Sequence, residues 1–243
     1  MKLLSAKGVV FRTDGLSREG LRYLESKLRR IRRRRKDARN LFLRILNLLL
    51  PRDYLRVDVE TWVQGRTLVV GCGGGIEAIG LGAVGIDIDR AALRIAVELS
   101  AHAEGASASF VAASGSELPF RAACFDSVLS DNVVEHFPPA DLPRHFREVV
   151  RVLRPGGRYV FTTPNRLFEV PPKEGHVALH SYAEWERLVR EAGFRDVRTP
   201  RRRSGELGDV EWKIDAERRA AARGLRLGLS HRGLRMVTLV AFR

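Results

Sequence analysis

The chain has 243 residues, 44% of them hydrophobic and 30% charged, which allows one substantial buried core and excludes a disordered polymer. Its two cysteines, Cys72 and Cys124, exclude a disulfide framework and a cysteine-built metal cluster, and favour a reducing compartment. The net charge of +14 sits in the flanks, with +10 over residues 1–60, −2 over 61–198 and +6 over 199–243.

In chain order, MKLLSAKGVVFRTDG lacks the apolar core of a signal peptide. Residues 17–50 then read as one long helix or a close pair, with apolar positions at Leu21, Leu24, Leu28, Ile31, Ala38, Phe42, Ile45 and Leu49. Ser17 is placed to cap its start and Pro51 to stop it. The outer face carries Arg29-Arg30 and the run Arg32 to Lys36. That face is either a solvated back or a surface for a polyanion, nucleic acid or anionic lipid. Leu41–Leu50 contains Arg44 and Asn47 and is too short to cross a bilayer. The expectation is a cytoplasmic protein, with peripheral contact at the inner face of an anionic membrane as its extension.

From residue 66 strands and helices alternate. The strands are expected at 67–71, 83–87, 107–112, 125–130, 157–163, 194–199 and 235–242, the helices near 75–81, 90–103, 140–153 and 181–192. Such alternation predicts a Rossmann-like, doubly wound α/β fold: a mostly parallel seven-stranded sheet with an antiparallel C-terminal strand. Pro155-Gly156-Gly157 is expected to stop a helix ahead of a buried strand. The domain reading is a basic helical extension over 1–60 and a catalytic domain over 61–243. Residues 201–234 form an insertion before the last strand, and 200–208 is the expected mobile loop.

The stretch LVVGCGGGIEAIGLGAVGIDID, residues 68–89, is strand, glycine turn, helix, strand, acid. Glycines there let the backbone turn sharply and approach a ligand closely, and Asp87 is suited to gripping a ribose diol. Gly73-x-Gly75-x-x-Ala78 also satisfies the loose dinucleotide pattern, so the loop alone leaves NAD and S-adenosylmethionine both open.

The stretches VVGCGGG, VGIDID, ELPFRAACFDSVLSDNVVEH, REVVRVLRPGGRYVFTTPN and HVALHSYAEWERLVREAGF follow one another at workable spacings. Together they resemble the class I S-adenosylmethionine-dependent methyltransferases, in the branch with quinone-biosynthesis and many small-molecule and sugar methyltransferases. The resemblance covers roughly residues 66–199 and the closing strand. It implies S-adenosylmethionine as cofactor. Gly71, Cys72, Gly73 and Gly75 would form the loop under its methionine part. Asp87 would hold the ribose hydroxyls and Ile88 would flank the adenine. Ser114 and Gly115 would cup the adenine ring, and Asp131 and Asn132 would lie beside the methionine portion. The chain departs from the family at Val69, where an acid is usual, and at Ser114, where an acid commonly meets the adenine amino group. These departures keep a catalytically inactive binding protein among the alternatives.

Methyl transfer to a hydroxyl needs in-line alignment and a base of near-neutral pKa, for which histidine is best suited. His136, after the fourth strand, and His176 and His180, in the loop after the fifth, are the candidate catalytic residues, with structural hydrogen bonding as the alternative for each. The H-x-x-x-H spacing of His176 and His180 lies in a loop without a cysteine partner, and no metal is expected. SDNVVEH lacks the Asn/Asp-Pro-Pro-aromatic signature of base amino methylation, which favours an O-methyltransferase. The expected acceptor is a small molecule, sugar or lipid-linked compound. RNA docked on the basic flanks is the second expectation.

Overall fold

A computed structural model describes residues 3–7, 9–39, 59–167, 171–200, 207–222 and 236–243. The chain divides into two compact units, Met1–Leu46 with Arg66–Gly115, and Asn47–Gly65 with Ser116–Arg243. Their described strands and helices make a mixed α/β chain that combines parallel strand pairs with antiparallel ones, the C-terminal strand among the latter.

The first unit runs β1 (Leu3–Ala6), β2 (Val9–Arg12), α1 (Arg18–Arg39), β3 (Thr67–Val70), α2 (Ile76–Leu81), β4 (Val84–Asp87), α3 (Arg90–Ala101), β5 (Ala103–Glu104) and β6 (Ser109–Ala112). Strands β3, β4 and β6 are parallel neighbours in that order, as the alternation predicts. All four residues of β3 are buried, which explains its unbroken apolar run. The sequence reading contained neither β1 nor β2. They pair antiparallel through a tight turn that holds Lys7 at φ +53°, and β5 joins the free edge of β2.

Helix α1 begins where expected, with the Ser17 hydroxyl accepting the Gly20 N–H at 3.0 Å. That hydroxyl also donates to Glu98 of α3 at 2.8 Å. Leu24 and Leu28 of the predicted apolar seam are buried with Val9, Phe11, Ile76, Ile79 and Leu99. The seam thus packs on this unit's own core, each such side chain contributing about 1.5–3 kcal/mol. The expected continuation to Leu50, its stop at Pro51 and the Leu41–Leu50 stretch lie outside the described residues. Among the described residues no helix is long and apolar enough to cross a membrane.

The second unit opens with a 3-10 turn at Val59–Trp62. It continues with β7 (Phe125–Asp131), α4 (Leu142–Val152), β8 (Leu153–Pro164), α5 (Tyr182–Glu191), β9 (Asp196–Pro200), β10 (Leu207–Asp209), α6 (Glu211–Ala222) and β11 (Met236–Phe242). Its strand order is β10-β9-β11-β8-β7. Strands β7 and β8 are parallel, and β11 runs antiparallel to both β8 and β9.

Two expectations are corrected here. Strand β8 starts at Leu153, so Pro155-Gly156-Gly157 does not end the helix. It forms a bulge between Leu153, opposite Phe125, and Arg158, opposite Ser127, with Gly156 at φ +76°. Strand β10 lies inside the expected insertion and loop, pairing Leu207 with Pro200 and Gly208 with Thr199, so it too is missing from the seven predicted strands. A three-residue strand containing glycine carries no alternation to read.

The ELPF stretch owes its shape to α4. Glu148 accepts the Leu118 N–H at 2.8 Å and two bonds from Arg151 at 2.7 and 2.8 Å. Arg151 in turn donates to the carbonyls of Phe120 and Leu118 at 2.7 and 2.9 Å. The Arg151 guanidinium holds the Glu148 carboxyl below its ordinary range, with the Leu118 N–H adding to the effect. A depressed carboxylate pKa contributes stability that is present above the unfolded-state value and lost as pH falls through the folded one. Glu148→Ala is therefore expected to cost about 1–2 kcal/mol at pH 7, after allowance for the partly exposed guanidinium. The difference from the wild type should begin to shrink as pH falls below the unfolded-state value of about 4.3 and disappear once the folded carboxyl is protonated, read by urea denaturation across pH. An equal loss at pH 3 and pH 7 would remove the electrostatic account of this clamp.

Candidate functional site

In the first unit, β3 delivers the chain into the glycine loop, whose Gly71, Gly73 and Gly75 stand at φ +65°, +52° and +77°. Gly75 is required twice over. An added Cβ would lie 2.7 Å from the Ala96 Cβ and 2.8 Å from the Phe110 ring. The loop is held by Asp87 at the end of β4: one carboxylate oxygen accepts the Gly73 N–H at 2.8 Å, the other the Asp89 N–H at 2.9 Å. Each oxygen retains acceptor capacity after one such bond, as a ribose diol requires. Asp89 caps α3, accepting from Ala91 and Ala92 at 2.8 and 3.2 Å.

Cys72 contributes backbone to the loop, donating to the Ile86 carbonyl and accepting from Gly75, both at 2.9 Å. Its thiol is buried, and burial followed by the nearby Asp87 charge pushes it up to about 12, which makes it inert as a nucleophile. Ile88, beside Asp87, is 77% exposed, an apolar side chain placed where a flat ring would cover it. Ser114 is exposed and Gly115 buried, just beyond β6. Val69 is 3% exposed, so the position that usually carries an acid is here a core position.

Sequence reasoning missed Tyr23. It lies on α1, and its hydroxyl accepts the Gly74 N–H at 3.0 Å. A Cβ on Gly74 would stand 2.4 Å from the Tyr23 ring, so the middle glycine is needed for the tyrosine. The signal was a polar-tipped aromatic beside the Leu21-Leu24-Leu28 seam, which a count of aliphatic positions passes over.

In the second unit, Asp131 ends β7, and Asn132 follows at φ +57°, a left-handed conformation that asparagine tolerates. The Asp131 carboxylate accepts from the Asn132 amide at 2.7 Å and from the Thr162 hydroxyl, while the Asn132 N–H donates to the Thr162 carbonyl at 2.9 Å. These bonds fix the pair against β8.

A 3-10 turn, Val134–His136, comes next and carries Glu135, which is fully buried. Among the described residues neither of its carboxylate oxygens has a hydrogen-bond partner of ordinary geometry. Burial raises its pKa above the ordinary range, and the neighbouring Thr163, His136 and His176 oppose that rise. Its backbone carbonyl accepts from Val177 and Ala178 at 2.9 and 3.0 Å, which ties down the loop after β8. That tie brings His176 to His136, ring centroids 4.9 Å apart and edge to face. His136 Nδ1 is bonded to the Gly175 carbonyl at 2.8 Å.

His180 stands apart in chemistry. Its ring packs 4.6 Å from Trp185, its Nε2 is buried without a partner among the described residues, and burial lowers its pKa. The structure thus joins two of the three candidate histidines with the buried Glu135.

A glycine loop braced by an acid at the end of the next strand, on parallel strands that alternate with helices, is the arrangement of the class I S-adenosylmethionine-dependent methyltransferases. Residues 68–161 match the model of the methyltransferase domain family. An uncharacterized methyltransferase of Mycobacterium marinum is 43% identical over 107 residues, 41% of this chain and 40% of that protein. The ubiquinone biosynthesis O-methyltransferase of Rhizobium etli is 35% identical over 106 residues, 42% of each. The chain thus spans about two fifths of the length of the curated relatives it matches. The same fold occurs in an S-adenosylmethionine-dependent methyltransferase from Methanosarcina mazei, with a TM-score of 0.54 and 18% identity over 78% of this chain and 98% of that one. It occurs also in a possible histamine N-methyltransferase from Thermotoga maritima, with a TM-score of 0.54 and 17% identity over 76% and 84%.

The residues present fit the cofactor. The glycine loop offers backbone with no side chain in the way, Asp87 offers two free acceptor directions, and Ile88 offers an uncovered apolar face.

Proposed function

We propose that the chain methylates a hydroxyl oxygen of a small or lipid-linked acceptor. The observation that carries this reading is the His136–His176 pair beside the buried Glu135, a proton-accepting cluster that a hydroxyl nucleophile needs and an amine does not. The R. etli relative, itself named an O-methyltransferase, supports it. S-adenosylmethionine, when bound, supplies an activated methyl group. The chain's own part is positional. Asp87 and the backbone of Gly71 to Gly75 hold the nucleoside and methionine portions, and Ile88 covers the adenine. Asp131 and Asn132, bonded to Thr162, are held in a single arrangement. His136 or His176 takes the hydroxyl proton.

The test is transfer of tritiated methyl from S-adenosylmethionine to a panel of phenols, isoprenylated phenols, sugars, amines and total RNA, with the wild type and a His136→Ala, His176→Ala double variant. Label is expected on a hydroxyl acceptor, with kcat reduced about 100-fold in the double variant. Label confined to amines would end the O-methyl reading. A second reading, RNA methylation, draws on Arg22, Arg29 and Arg30, which are exposed on α1. Transfer to RNA that collapses with added salt would favour it.

A further inference from the structure

We infer that Glu135, His136 and His176 form a binding site for a borderline divalent cation of the zinc, cobalt or iron(II) kind, at the end of β7. One ligand atom from each of the three lies within 4.8 Å of the others. Ligands sharing such a cation, at bonds of about 2.0–2.2 Å, stand roughly 3–4.4 Å apart, so small torsional changes close the coordination sphere. Two imidazoles and one carboxylate suit these ions rather than magnesium or calcium, which prefer an all-oxygen shell.

Two further observations point to a cation here. The Glu135 side chain is fully buried and both its oxygens lack hydrogen-bond partners among the described residues, although buried carboxylates are ordinarily satisfied. The described neighbours satisfy it only loosely: the Thr163 hydroxyl and the residue's own N–H lie near the carboxylate without a hydrogen bond of ordinary geometry, and His136 and His176 are the cationic-capable groups beside it. A divalent ion on the imidazole side supplies the missing positive charge. The second observation is the bond between His136 Nδ1 and the Gly175 carbonyl at 2.8 Å. A carbonyl only accepts, so Nδ1 carries the proton and leaves Nε2 as the nitrogen available to a cation, the arrangement usual for a metal-ligating histidine.

Chain geometry assembles the set without help from other elements. Glu135 and His136 are adjacent on a 3-10 turn, and the Val177 and Ala178 N–H groups bind the Glu135 carbonyl, which places His176 opposite. Three protein ligands leave the remaining positions to water or to an oxygen of the acceptor, as in catalytic rather than structural sites. On the O-methyl reading proposed above, the bound ion takes over the imidazoles' role. The acceptor oxygen binds the cation, its O–H bond breaks, and the proton passes to solvent water while the electron pair stays on oxygen.

The test titrates tag-free, chelator-treated full-length protein with Co²⁺, followed by visible absorption, and with Zn²⁺, followed by calorimetry. Glu135→Gln and His176→Asn are run in parallel. S-adenosylhomocysteine affinity is measured on each preparation as a check of folding and of the methyltransferase reading. One ion per chain is expected, with a low-symmetry Co²⁺ spectrum and a Kd at least 100-fold weaker in each variant that still binds S-adenosylhomocysteine. Should Glu135→Gln fail to fold, His176→Asn, on a half-buried loop position, decides alone. Less than a tenth of an equivalent bound by the wild type, or equal binding by wild type and variants, overturns the metal site. Retained S-adenosylhomocysteine binding in that case leaves the methyltransferase reading standing; its loss in the wild type counts against that reading separately.

Discussion

Asp87→Ala is expected to weaken S-adenosylmethionine binding by about 100-fold or more, with only a small change in melting temperature. Two contributions add. On the cofactor placement proposed above, the bonds of the carboxylate to the ribose are lost, and charge-assisted bonds of this type are worth about 1.5–3 kcal/mol each. The Gly73 N–H, bonded to Asp87 at 2.8 Å, also loses its partner, so the loop is no longer held in a conformation ready for ligand. A loss of about 3 kcal/mol corresponds to a Kd ratio of roughly 150. Asp89→Ala provides the contrast, since it removes only the cap of α3 and should lower stability by about 1 kcal/mol while leaving affinity close to that of the wild type. Calorimetric titration of the three proteins decides. A threefold or smaller change for Asp87→Ala would mean that the ribose is held elsewhere.

Gly75→Ala should be the most destabilising single methyl in the cofactor loop. Its φ of +77° costs an L-residue about 1–3 kcal/mol, and the added Cβ would press on the Ala96 Cβ, a methyl on a helix that cannot swing away. Together these reach about 3–5 kcal/mol, a large part of a typical domain's stability. A fall in melting temperature of roughly 10 °C follows for a chain of this size. Gly73→Ala is the control. Its φ of +52° lies in the left-handed region that L-residues occasionally adopt, and its nearest neighbour is the Tyr23 hydroxyl at 3.5 Å, so a cost of about 1 kcal/mol is expected. Thermal unfolding of both variants gives the comparison, and equal melting temperatures would remove the steric argument for Gly75.

How far the sequence speaks depends on the range over which each signal acts. The strands Thr67–Val70, Val84–Asp87 and Phe125–Asp131 and the helices Arg90–Ala101 and Leu142–Val152 were all legible, because apolar runs and helical spacing are local. The Gly71–Gly75 loop and Asp87 were legible for the same reason. Strand Leu207–Asp209 was not, since its pairing with Arg198–Pro200 and not its composition makes it a strand. The histidines illustrate the limit most plainly. His176 and His180 invited comparison because they are four residues apart, yet the backbone bonds of Glu135 bring His176 to His136, forty residues earlier in the chain. No spacing rule anticipates that.

The contact between the Tyr23 hydroxyl and the Gly74 N–H makes the cofactor loop answerable to the N-terminal segment. Leu24, the next residue, and Leu28, about one helical turn beyond it, anchor the same helix in the core that Ile76 and Ile79 build beneath the loop. The pose of α1 and the grip on the cofactor are thus two readings of a single equilibrium. By linkage, whatever fixes the helix alters cofactor affinity by the factor with which the cofactor fixes the helix. A polyanion resting on Arg22, Arg29 and Arg30 would act through that route, setting where in the cell the loop is competent without touching the loop itself.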